Sequence, residues 1–189
     1  MAKIALVLTQ GFADWEYAFI AGTGVPFYGF DVRFFAPEAG VVRSQGGLEA
    51  MVPHGLNEIV AWAPDVLVVV GGSIWASPDA PDIGELLKAY HTAGGTVAGI
   101  CGGSLALARA GILDATPHTS NDADFLAENA AGYAGGACYC QSTSAVVGER
   151  VITAPGTAPV SFTSAVFAAA GLDESAVAQF RSMLAAEHG

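Results

Sequence analysis

One hexapeptide, Gly99-Ile100-Cys101-Gly102-Gly103-Ser104, limits the folds open to this 189-residue chain more than any other feature. It follows the short apolar run Thr96-Val97-Ala98 and opens a helical pattern, Ser104-Leu105-Ala106-Leu107-Ala108-Arg109. A strand that passes into a helix through a sharp turn holds the central residue in a strained conformation, and small neighbours let the chain pack closely around it. The glycines beside Cys101 meet that demand. This is the geometry of a nucleophile elbow. The helix behind it would present its positive dipole end to the sulfur and favour thiolate. The expectation is a Cys101 thiol with a pKa well below that of a free cysteine.

Strand and helix signals alternate around this turn. Lys3–Thr9 reads as a buried strand, Trp15–Ile20 begins a helix that Gly22, Gly24 and Pro26 interrupt, and Asp31–Phe35 is a second strand. Val41–Arg43 and Glu49–Val52 flank Gly46-Gly47 as a hairpin does. Asp65–Val70 is the continuous apolar run of a central parallel strand. Ile83–Thr92 is helical, Thr96–Ile100 is a strand, and Ser104–Ala110 is the helix after the elbow. Asp122–Ala131 is a helix capped by Asn121 or Ser120. Ser144–Val147 and Arg150–Thr153 form a hairpin about Gly148-Glu149, and the helices Pro159–Ala170 and Asp173–Glu187 close the chain. The pattern predicts an α/β fold over residues 1–189 as a single domain: a three-layer αβα sandwich with a mostly parallel sheet. In such sheets the site lies at the carboxyl ends of the strands, where Cys101 falls.

Charge narrows the partners. The formal net charge is −11, with only seven Lys and Arg, scattered along the chain. Such a surface repels phosphate backbones, so no nucleic-acid partner is expected. The opening run Lys3–Leu8 is too short for a signal segment and no stretch reaches membrane-spanning length, so the expectation is a cytoplasmic protein with no membrane partner. Three cysteines argue against a disulfide framework. Cys138 and Cys140 lack the further ligands that a zinc site needs and are assigned no role, and no metal is expected.

Glu16 follows the first strand by a short turn and so reaches the same sheet edge as Cys101. A buried carboxyl there can be protonated near neutrality and hydrogen-bond the sulfur. Asp14 competes for that place, but it suits an N-cap for a helix starting at Trp15, so Glu16 takes the site and Asp14 the cap. Gly71-Gly72 ends the central strand, and the amides of Gly72 and Gly102 are candidates for an oxyanion hole. Trp15, Trp62 and Trp75 are candidates to line a pocket. His54, His91 and His188 read as surface or satisfied core residues.

The order and spacing of these pieces resemble the ThiJ/PfpI superfamily, a branch of the class I glutamine amidotransferase-like fold with a flavodoxin-like core. The resemblance covers nearly the whole chain. It rests on Gly11-Phe12-Ala13-Asp14-Trp15-Glu16, on Asp65-Val66-Leu67-Val68-Val69-Val70-Gly71-Gly72, on the Cys101 elbow, and on Ala110-Gly111-Ile112-Leu113-Asp114-Ala115-Thr116-Pro117-His118. It implies Cys101 as nucleophile, Glu16 beside it, and His118 near it as base or orienter. It also implies a homodimer using the segment Trp15–Ile20. A Glu, Cys and His set resembles the cofactor-independent glyoxalases, which turn a small 2-oxoaldehyde into the hydroxy acid without metal or glutathione. The peptidase branch carries His directly after the cysteine, where this chain has Gly102. The amidotransferases use a late His and Glu pair, which His188 does not supply. An isonitrile hydratase-like or amidase-like hydrolase, and a redox-sensing or stress-protective protein with an oxidisable cysteine, stay open as alternatives.

Overall fold

Apolar side chains alternate from face to face along the strands, and the sheet they build is covered on both sides. A computed structural model describes residues 1–186. The central strand β1 (Lys3–Val7) pairs in parallel with β2 (Asp31–Ala36), Lys3 opposite Asp31. The antiparallel hairpin β3 (Gly40–Arg43) and β4 (Glu49–Val52) stands apart from the main sheet. The short β5 (His54–Gly55) extends the sheet beyond β2. On the other side of β1 come β6 (Val66–Val69), β7 (Thr96–Ile100) and β9 (Val151–Ala154), all parallel, and β8 (Val146–Gly148) closes that edge antiparallel. The order is β5-β2-β1-β6-β7-β9-β8.

Ile4, Leu6, Val66 and Val68 face a layer with Ile20, Phe162, Phe167 and Phe180, supplied by α1 (Asp14–Tyr28), α6 (Pro159–Ala169) and α7 (Glu174–Ala185). Ala5, Val7, Leu67 and Val69 face the opposite layer with Ile59, Leu87, Leu105 and Leu107, from α2 (Ile59–Trp62), α3 (Gly84–Thr92) and α4 (Gly103–Arg109). The period of two in the strands thus sorts one sequence into two cores. The last helix, α5 (Ala123–Asn129), packs against α4. This is the expected mixed α/β fold with a mostly parallel central sheet.

Four local differences from the sequence reading have physical causes. Helix α1 does not stop at Ile20 but runs to Tyr28 through Gly22, Gly24 and Pro26. Gly24 lies against Phe167 and Phe30, so tertiary packing offsets the propensity that those residues forfeit. Asp14 is not its N-cap. Ala13 holds that position, and the Asp14 carboxylate accepts the Gly46 N–H at 2.8 Å, tying the β3–β4 loop to the helix. Helix α5 is capped by Asp122, whose Oδ1 accepts the Phe125 N–H at 2.7 Å, not by Asn121 or Ser120. The second hairpin turns at Glu149-Arg150, one residue later than expected. Arg150 takes a φ of 54° there so that Val151–Ala154 enter the sheet buried. The expected end of the last helix at Glu187, and His188, lie outside the described residues.

Candidate active site

β1, β6 and β7 end at one level, and the chain leaves each of them toward the same edge. Strand order reverses between β1, which leads back to β2, and β6, which leads on to β7. A crevice at such a switch point is where doubly wound sheets place their ligands. Three segments converge there: the loop and first turn of α1 carrying Glu16, Gly71-Gly72 after β6, and Cys101 after β7.

Cys101 has a φ of 53°, a left-handed conformation that a non-glycine residue rarely adopts. Its N–H donates to Ala154 O at 2.9 Å, and its carbonyl accepts the Ser104 hydroxyl at 2.6 Å. That hydroxyl also meets Ser120 Oγ at 2.6 Å. The following glycines are required by close approach. A β-carbon at Gly102 would fall 2.6 Å from Gly72 O, and one at Gly103 would collide with Val69 O. The strained elbow is therefore locked from both sides by backbone, and its sulfur stays half-buried at the sheet edge.

Glu16 is 1% exposed. Its Oε2 accepts the Gly71 N–H at 2.8 Å, and its Oε1 has no N–H donor and lies on the sulfur side. Burial raises this carboxyl to about 7, against the opposing effects of Cys101 and the Gly71 N–H. Burial, and then the charge of Glu16, push the Cys101 thiol up to about 11, although the Asn121 amide and the Gly102 N–H draw it down. The low thiol pKa expected from the helix end and a hydrogen-bonding Glu16 carboxyl is thereby corrected: desolvation and the charge of that carboxylate outweigh a helix end of seven residues. The two groups titrate as a pair, and between the two steps they hold one proton together.

The structure brings Glu16, Cys101, Gly72 and Gly102 to one place but does not bring His118 to the sulfur. The His118 ring is fully buried, with Nδ1 2.7 Å from Thr116 O and Nε2 2.6 Å from the Tyr133 hydroxyl. A carbonyl oxygen can only accept, so Nδ1 donates to it and both nitrogens are committed to neighbours. Backbone bonds between His118 and Cys138 and Cys140 hold the segment in place.

The residue that does reach the sulfur is Asn121, three positions on. Its Nδ2 donates to Cys101 Sγ at 3.3 Å, and its Oδ1 accepts the Gly156 N–H at 3.0 Å. Sequence reasoning spent Asn121 on a helix cap. The one available signal was its nearness in sequence to His118 at the same sheet edge. Gly156, equally unexpected, is held on its other side by Trp15 Nε1, which donates to Gly156 O at 2.9 Å. Trp75 does not line an open pocket. It is fully buried beneath the elbow with Nε1 donating to Val70 O at 2.9 Å. Cys138 and Cys140 are free and half-buried. Among the described residues, no group of three or more His, Cys, Asp or Glu is arranged to hold a metal, and no helix is long and apolar enough to cross a membrane.

Fold and site together define a class: a flavodoxin-like α/β domain with an elbow cysteine and a buried carboxyl beside it. Residues 2–169 match the DJ-1/PfpI family, and the chain belongs to that family. Its relatives include a Bacillus subtilis (strain 168) protein named uncharacterized protease YoaZ, 31% identical over 171 residues, which span 85% of this chain and 79% of the relative. Among solved structures, DJ-1 superfamily protein Atu0886 from Agrobacterium tumefaciens superposes with a TM-score of 0.93 at 34% identity over 100% of both chains. A thiJ/pfpI family protein from Bacillus anthracis superposes with a TM-score of 0.84 at 26% identity, over 96% of this chain and 89% of that one.

Proposed function

We propose that this protein is a cysteine-dependent enzyme acting on a small carbonyl compound, in the manner of a glutathione-independent glyoxalase, with Cys101 as nucleophile and Glu16 as proton carrier. The observation that carries this reading is the Glu16 carboxyl, buried beside Cys101 and raised to about 7. A group that gains and loses a proton near neutrality, within reach of a nucleophile, suits addition and proton transfer at a carbonyl.

Addition of the sulfur to an aldehyde forms the S–C bond. The oxygen that gains charge takes up the proton held by the pair, giving a hemithioacetal, with the Gly72 and Gly102 amides as candidate donors to that oxygen. Glu16 then removes the proton from the former aldehyde carbon and returns it to the adjacent carbon, while the hemithioacetal hydroxyl proton passes to the neighbouring ketone oxygen, which leaves the thioester of a 2-hydroxy acid. Water cleaves the C–S bond, releasing the 2-hydroxy acid and the thiol. The sequence adds one water and is redox-neutral, so it calls for no oxidant or reductant. Peptide hydrolysis, which the printed name of the Bacillus subtilis relative suggests for that protein, has less support here, because Gly102 follows the cysteine and the His118 nitrogens are engaged elsewhere.

The test is consumption of methylglyoxal by purified protein without glutathione and with EDTA present. Wild type should turn it over, Cys101→Ala should not, and Glu16→Gln should lose about two to four orders of magnitude. No consumption by wild type with a reactive thiol would remove the glyoxalase reading in favour of another small substrate or of cysteine oxidation. The same proposal has the protein act in the cytoplasm as a homodimer. Trp15, Leu48 and Met51, exposed on α1 and on the adjoining hairpin, supply apolar surface for a second copy.

A further inference from the structure

The proton shared by Glu16 and Cys101 can rest on oxygen or on sulfur, and the surrounding donors decide which. On the carboxyl, Oε2 receives one backbone N–H, from Gly71, and Oε1 receives none. The sulfur accepts a hydrogen bond from Asn121 Nδ2 at 3.3 Å. We propose that Asn121 is a catalytic residue, whose side-chain amide donates to the Cys101 sulfur and thereby favours the anionic sulfur against the burial and the Glu16 charge that oppose it.

The orientation of that amide is fixed by chemistry. The Gly156 N–H can only donate, and it meets the other end of the Asn121 side chain at 3.0 Å. Turning the amide over would set NH2 against N–H and an oxygen lone pair against the sulfur. The acceptor end therefore belongs to Gly156 and the donor end to Cys101. Gly156 is itself buried and held from its carbonyl side by Trp15 Nε1 at 2.9 Å. A primary amide neither ionises nor accepts a proton in this range, so Asn121 biases the pair without titrating with it. Glu16 is left as the titrating neighbour of the sulfur, because both His118 ring nitrogens are taken by Thr116 and Tyr133. The inference deepens the carbonyl-addition reading by stating how its nucleophile becomes anionic. Its test needs no substrate, so the two can fail separately.

The rate of Cys101 alkylation by iodoacetamide is measured at pH 8 in a Cys138→Ser/Cys140→Ser background, with modification located by peptide mass spectrometry and folding checked by circular dichroism. Asn121→Ala removes the donor and should slow alkylation about tenfold or more, the usual value of a hydrogen bond to a charged group. Asn121→Asp keeps an acceptor for Gly156 but replaces the donor with a negative oxygen, and should slow it at least as much. Trp15→Phe loosens Gly156 without touching the donor and should leave the rate within about twofold, a change too small to represent a lost charged hydrogen bond. Where Asn121→Ala does not fold, Asn121→Asp decides. A folded Asn121 variant that alkylates at the wild-type rate, or a Trp15→Phe that slows as much as Asn121→Ala, overturns the proposal.

Discussion

Glu16 Oε1 and Cys101 Sγ each lie 3.0 Å from the point where a β-carbon on Gly156 would stand. The carboxyl and the thiol thus share one wall, and that wall is a glycine because both reacting groups press against it. Gly156→Ala should leave the fold intact and push the two groups apart. Turnover on a small carbonyl substrate, and the rate of Cys101 alkylation, should each fall about tenfold or more, the scale of effect that a misplaced reacting group produces. Parallel rates in wild type and Gly156→Ala would show that the spacing does not matter.

Wild-type alkylation of Cys101 should rise in two steps with pH, the first near 7 and the second near 11, as the pair gives up its two protons. In Glu16→Gln the neighbouring charge that opposes the thiolate is gone, so a single step should remain, lying below the upper wild-type one. A Glu16→Gln profile with both steps in place would separate the two groups. Asp14→Asn should keep the wild-type profile, because Asp14 faces Gly46 and not the sulfur.

Stability should carry the same signature. Glu16 titrates at its ordinary 4.5 in the unfolded chain and at about 7 in the folded one. Between those values the folded protein keeps a proton that the unfolded chain has lost, so stability is greatest at low pH and falls as pH rises through this window. Glu16→Gln should remove the loss. Its melting temperature should exceed that of wild type by about 5 °C at pH 8, with the gap closing near pH 4. Thermal melts of both proteins across that range test this, and a difference that stays constant with pH would contradict the linkage.

His118→Ala should be a stability variant. The ring is fully buried between Thr116 O and the Tyr133 hydroxyl, and its removal leaves a cavity and an unpartnered hydroxyl. The expected loss is about 2–4 kcal/mol in denaturant unfolding, with Cys101 alkylation near the wild-type rate. A stable His118→Ala with a slow thiol would return the histidine to the site.

Dimerisation through α1 and the hairpin should be sensitive to Met51, which is 71% exposed near Leu48. Sedimentation at micromolar concentration should give a dimer for wild type and a monomer for Met51→Glu, since a charge on an apolar interface strongly disfavours it. A dimeric Met51→Glu would place the interface elsewhere, and a monomeric wild type would remove it.

The sequence by itself determined the alternation of strands and helices and the elbow at Cys101. Those features are local, written in apolar runs such as Asp65–Val70 and in glycines where backbone meets backbone. What only the tertiary structure decided depends on which way side chains point once distant segments meet. Asp14, read as a cap, reaches across to Gly46, and Asp122 caps α5 in place of Asn121. His118 and Asn121 are three residues apart in one irregular segment, and nothing local shows which of them faces Cys101. The fold turns the first into the core and the second onto the sulfur. The direction of the thiol pKa was hidden for the same reason. A helix end can be read from a turn motif, but desolvation and the charge of a carboxyl 85 positions earlier in the chain exist only after folding.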